Sequence, residues 1–139
     1  MHDVGKPVIA ERTPVHFARS LAQAEQEGVP LFEVEEKLIH VSRAEVGAYL
    51  LSVWGLPYTV VEAVAHHHHP RRVPTKGVDM ILAVYAANLL AREVCATKKN
   101  VAPPKFDMEF LQEGGAADLL PKWRGIAEAA LAREHKLVN

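Results

Sequence analysis

The chain has 139 residues, 49% hydrophobic and 24% charged, with 16 basic against 17 acidic side chains and a formal charge of −1. That is the size and composition of one globular domain, large enough to bury about two-thirds of its unfolded surface. Near-neutrality argues against steering of the whole molecule toward nucleic acid or an anionic membrane, and no apolar run approaches the ~18 residues of a membrane span.

The opening, MHDVGKPVIAER, lacks the long apolar core of a signal peptide, so a cytoplasmic location is the expectation. Met1 to Arg12 reads as a short helix or the last turns of one, with Val4, Val8 and Ile9 apolar and Pro7 interrupting it. Thr13 can cap a second helix with Pro14 at its first position, Val15, Ala18, Leu21 and Ala22 turned inward and Gly28 closing it. Pro30 opens a third, in which Leu31, Val34 and Leu38 alternate with Glu33, Glu35 and Glu36, acids expected on a solvated face.

Ser42 to Pro70, SRAEVGAYLLSVWGLPYTVVEAVAHHHHP, organises the rest. Ser42 followed by Glu45 is a capping box. Val46, Tyr49, Leu50, Val53 and Trp54 make one apolar face, until Gly55 supplies a left-handed stop and Pro57 starts the next helix. There Val60, Val64, His67 and His68 fall at i, i+4, i+7 and i+8, so two histidines continue a core-facing stripe, while Glu62, His66 and His69 read as a solvated face. Two readings of His67 and His68 stand: imidazoles satisfied by buried hydrogen bonds, or part of a metal or phosphate site.

PRRVPTKG follows, either a solvated connector or a basic lip beside the histidines that could meet an anion through Arg71 and Arg72. Thr75 is expected to cap the longest helix, whose inner face carries Val78, Ile81, Leu82, Tyr85 and Leu89, with Asn88 at its edge and Lys98, Lys99 and Asn100 at its end. Cys95 lies in this pattern and is expected to be a buried structural thiol. A loop with Pro103 and Pro104 leads to a short helix over Phe106 to Gln112, ended by Gly114 and Gly115. The last helix spans about Asp118 to Lys136, with Leu120, Trp123, Ile126 or Ala127, Ala130 and Leu131 inward. No segment alternates like a half-buried strand, so the fold is all-α, a compact bundle of about six to seven helices.

The stretch RAEVGAYLLSVWGLPYTVVEAVAHHHHP resembles the HDOD domain, the HD-related output domain of bacterial signalling proteins, within the HD superfamily of metal-dependent phosphohydrolases. MHDVGK resembles the superfamily's His-Asp doublet, and AVYAANLLARE the helix after the histidines, so the likeness extends over about residues 1–95. The resemblance implies residual metal ligands at His2, Asp3, His67 and His68, with Lys6 matching a lysine of related phosphodiesterases. It also exposes departures from the active pattern. Arg43 stands where a histidine is usual, and a guanidinium has no lone pair to give a metal. Asn88 replaces a terminal aspartate, and the upstream histidine is absent. The domain is expected to be a single one over residues 1–139, lacking the helical lobe that precedes the doublet in the family.

A non-catalytic signalling module with a degenerate metal site is therefore expected, binding a protein partner or small ligand, with no cofactor. Arg43 is a further anion-binding candidate. The alternative is a metal-dependent phosphohydrolase or phosphodiesterase acting on a nucleotide or cyclic nucleotide, with Fe, Mn, Mg or Zn as its metal and Lys6 assisting. Apolar surface left by the missing lobe implies a homo-oligomer. Neither membrane nor nucleic-acid binding is expected.

Overall fold

A computed structural model describes residues 1–74, 76–95 and 104–138, with side chains as far as Glu134. Eight α-helices are present among these residues, and no strand: α1 (Gly5–Arg12), α2 (Pro14–Glu27), α3 (Leu31–Ile39), α4 (Arg43–Val53), α5 (Tyr58–His66), α6 (Met80–Val94), α7 (Met108–Glu113) and α8 (Leu120–Val138). Single 3₁₀ turns at Pro70–Arg72 and Ala117–Leu119 lead out of α5 and into α8. The all-helical expectation thus holds, with slightly more helices than the pattern indicated. None of these helices is long and apolar enough to cross a membrane.

Local chemistry explains most boundaries. Ser42 accepts from the Glu45 amide at 3.1 Å while the Glu45 carboxylate accepts from the Ser42 amide at 2.9 Å, so α4 opens on the expected capping box. Gly28 and Gly55, at φ 66° and 76°, take the left-handed conformation that ends α2 and follows α4. Pro7 falls inside the first turn of α1, where its missing N–H costs nothing, and so does not interrupt the helix. Thr13 precedes α2 but donates its hydroxyl back to the Ile9 carbonyl instead of capping forward. Asp79 caps α6, accepting from the Leu82 amide at 2.9 Å. Thr75 and the Lys98–Asn100 end expected for this helix lie outside the described residues.

α4 packs on α1 and α5, α2 on α3, α5 on α6, and α6 on α8. The α1–α4 crossing is close because Gly5 and Gly47 face each other: a Cβ on Gly5 would collide with the Arg43 carbonyl and the Gly47 amide. This crossing seats the N-terminal His-Asp doublet against α4 and α5. Two apolar clusters result, a small one of Ala48, Leu51 and Val64 and a larger one built by α6, α7 and α8 around Leu82, Phe110 and Leu111.

Several faces differ from the spacing-based expectation. α4 has apolar residues on more than one side, and the side it buries is Arg43, Ala44, Gly47, Ala48 and Leu51, whereas Tyr49, Val53 and Trp54 are exposed. Small residues win because only they allow the close crossing with α1. In α2 the buried positions are Ser20 and Ala24, and Val15, Ala18, Leu21 and Ala22 face outward. Glu35 is wholly buried, not solvated, because Arg43 neutralises it. The His66–His69 side is half-buried rather than solvated, with His69 Nε2 3.1 Å from Glu36. Among the described side chains of α8 only Leu120 is buried; Ile126 and Ala130 are exposed beside an open apolar groove against α6. Cys95 lines that groove and is exposed, not buried, because the groove is uncovered.

Candidate functional site

The His-Asp doublet and the end of α5 meet. His2, Asp3 and His67 each offer a donor atom, and these atoms lie within 4.8 Å of one another. His2 Nε2 is 3.8 Å from Asp3 Oδ2, and His67 Nε2 is 3.8 Å from Asp3 Oδ1. Donors sharing one ion at ~2.0–2.2 Å stand about 3–4 Å apart, so the set is near ligating geometry.

His67 is oriented for such a role. Its Nδ1 is 2.7 Å from the Val64 carbonyl, a contact that requires Nδ1–H to donate and leaves the Nε2 lone pair facing Asp3. Both His67 Nε2 and Asp3 Oδ1 are buried with no hydrogen-bond partner. Burial pushes the His67 pKa down, opposed by the bond to Val64, so the ring is a neutral base at pH 7. The donor set therefore fits a divalent ion, which when bound would acidify a coordinated water and hold phosphate oxygens. His2, Asp3 and His67 would be its protein ligands.

His68 is not part of that set. Its ring stacks on Phe32, centroids 4.1 Å apart and 7° from parallel, and burial followed by the neighbouring His67 and Arg43 charges pushes its pKa down to about 2. Its Nε2 is also buried without a partner. Arg43 is 6% exposed at the start of α4, with Nε donating to Glu35 Oε2 at 2.6 Å and Nη2 left without an acceptor. Lys6 is exposed and Asn88 buried, and both line the same cavity of about 770 Å³ as Asp3, Arg43, His68 and Arg92.

The basic loop does not join them. Arg71 is held by the carboxylates of Asp107, Glu109 and Glu113 at 2.6, 2.9 and 3.4 Å, and Arg72 is exposed and lines neither cavity beside the histidines. Of the cations singled out in the sequence, Arg43 and Lys6 border the cavity, and Arg92 was overlooked. Its only signal was its place seven residues past Tyr85 and four past Asn88, one helical face of α6.

The profile of the HDOD domain matches residues 1–70, which end with the histidine tetrad and its proline. This chain belongs to the HDOD family. The match stops short of the residue 95 to which the sequence resemblance extends, leaving α6–α8 outside it. An uncharacterized protein of Treponema pallidum (strain Nichols) is 25% identical over 92 residues, 66% of this chain and 18% of its own length. The chain thus spans less than a fifth of that relative. No solved structure matches. Within the HDOD region the turn before α1 and the residue that ends α5 carry the three metal-competent side chains, and α4 carries the arginine.

Proposed function

We propose that this HDOD chain is a non-catalytic module of bacterial signalling that binds a small ligand or protein partner instead of turning a substrate over. Arg43 carries the reading. It lines the cavity beside Asp3 and His68, yet its guanidinium has no lone pair to give a metal and its charge is already paired with the buried Glu35. Asn88, buried on the cavity wall, supplies a neutral amide where a hard divalent ion would favour a carboxylate. Exposed apolar surface, at Tyr49, Val53 and Trp54 and in the groove beside α8, supports association with a second copy of the chain. A monomeric mass by light scattering at micromolar concentration would remove that part of the proposal.

A metal-dependent phosphohydrolase is the second reading, favoured by the near-ligating geometry of His2, Asp3 and His67. Protein purified without a nickel or cobalt column, stripped with chelator and reloaded with manganese, magnesium or iron, separates the two in phosphomonoesterase and phosphodiesterase assays. No turnover is expected under any loading. Turnover that disappears in Asp3→Ala would replace the first reading by the second.

A further inference from the structure

Every buried side-chain atom that lacks a hydrogen bond among the described residues lies between Asp3 and His68. Three of them, Asp3 Oδ1, Arg43 Nη2 and His68 Nε2, belong to residues that line the cavity among α1, α2, α3, α4 and α6, and the last two can donate to an anion. Leaving a charged donor buried without an acceptor is among the costliest defects a fold carries, so an acceptor is expected to fill it. Glu35 Oε2 accepts from the Nε edge of Arg43, while Arg43 Nη2 and Glu35 Oε1 are both without a partner. Asn88 adds an amide to the same wall, and Lys6 and Arg92 add two further cations; the carboxylates sharing the lining are Asp3 and Glu25.

Much of the remaining lining is apolar. Leu21, Ala24, Val29, Leu31 and Phe32 form this part, with Phe32 already stacked on His68. About 770 Å³ is a normal volume for a small organic molecule. We infer that this cavity binds an organic anion without a metal: a phosphate or carboxylate head held by Arg43 Nη2, His68 and Asn88, carried on an apolar or planar body lying against Phe32 and Leu31. Lys6 and Arg92 close the head in from the rim. This deepens the proposed binding role and rests on it.

Calorimetric titration of the full chain in excess chelator tests it, with phenyl phosphate, benzoate and inorganic phosphate as probes. Phenyl phosphate or benzoate is expected to bind, whichever is tighter naming the head group, and inorganic phosphate at least about tenfold more weakly because it has no body to bury. His68→Phe keeps the stack on Phe32 and removes the nitrogen, and the Lys6→Gln/Arg92→Gln pair removes the rim charge; each should weaken binding about tenfold. Because Arg43→Met leaves Glu35 unpaired and can unfold the chain, Arg43 is tested as Arg43→Met/Glu35→Leu, with its fold checked by circular dichroism. Absence of binding by both organic probes at about 1 mM would overturn the inference. So would binding unchanged in His68→Phe and in the rim pair, or binding that appears only with a divalent ion. Turnover in the metal-loaded assay, with chelator-resistant binding intact, would sink the non-catalytic reading and leave the anion site standing. Neither binding nor turnover would sink the site and leave a module that binds protein.

Discussion

Helices α1–α5 and helices α6–α8 fill their interiors with different chemistry. The first group clusters only Ala48, Leu51 and Val64, and it also buries Ser20, Glu35, Arg43 and His67. The second clusters nine apolar residues, from Leu82 to Leu120, and of its buried positions only Asn88 is polar among the described residues. Stability alone favours the second arrangement, since a buried ion pair seldom outperforms an apolar pair of the same volume. The polar interior coincides with the HDOD match, which ends at Pro70. The first region keeps unsatisfied donors and acceptors in its core while the second shows none among the described residues, and the proposed binding role rests on that difference.

The two arginines put that contrast within reach of single substitutions. Arg43→Met leaves Glu35, wholly buried, with no cation, and should cost about 3–5 kcal/mol of stability by urea denaturation. Arg43→Met/Glu35→Leu should recover most of that loss. Equal destabilisation of the single and double variants would mean that the pair stabilises the fold by more than mutual neutralisation, and the interior could no longer be called costly.

A smaller effect comes from the imidazoles. In the unfolded chain His67 and His68 titrate near 6.5, whereas in the fold both are pushed down, His68 to about 2, chiefly by burial. His2, Arg43, His69 and Arg92 add to the depression from neighbouring elements, and Asp3 opposes it at His67. Above pH 6.5 both states are neutral and nothing is lost. As pH falls from 6.5 toward 2 the unfolded chain takes up a proton that His68 refuses in the fold, so stability drops by up to about 1.4 kcal/mol per pH unit, and His67 adds to the drop until its own lowered value is reached. Urea midpoints measured in chelator at neutral and mildly acid pH should show the fall, and His68→Phe should flatten part of it. A midpoint independent of pH over this range would show the rings to be solvated in the native state.

The all-helical fold, the capping box, the glycine stops and the meeting of His67 with the doublet were legible because local spacing and family resemblance determine them. Which side of α4 and α2 faces inward was not. Periodicity marked Tyr49, Val53 and Trp54, but the Gly5–Gly47 approach chose the small-residue side, a decision made by a helix forty residues away in sequence. Spacing points Glu35 toward solvent for the same reason: its partner Arg43 sits on another helix, and nothing local announces the pair. Arg71 and Arg43 carry identical charge in the sequence, yet only burial separates an occupied surface cation from one with a free arm.

The smallest expected effect is therefore at Arg71. Its side chain is 43% exposed and its guanidinium is shared among Asp107, Glu109 and Glu113, where solvent screens each contact. Arg71→Gln should cost no more than about 1 kcal/mol, because Asp107 still caps α7 through the Phe110 amide, and its own amide still donates to the Tyr85 hydroxyl. The charge should be felt instead at the Asp107 carboxyl, which Arg71 holds below the usual carboxylate range. That stabilisation is present at neutral pH and lost as pH falls through the lowered value, so the Asp107 midpoint, followed by NMR, should rise in the variant. A loss as large as that of Arg43→Met would place the surface pair and the buried pair in one class, and burial would no longer be what distinguishes the two halves.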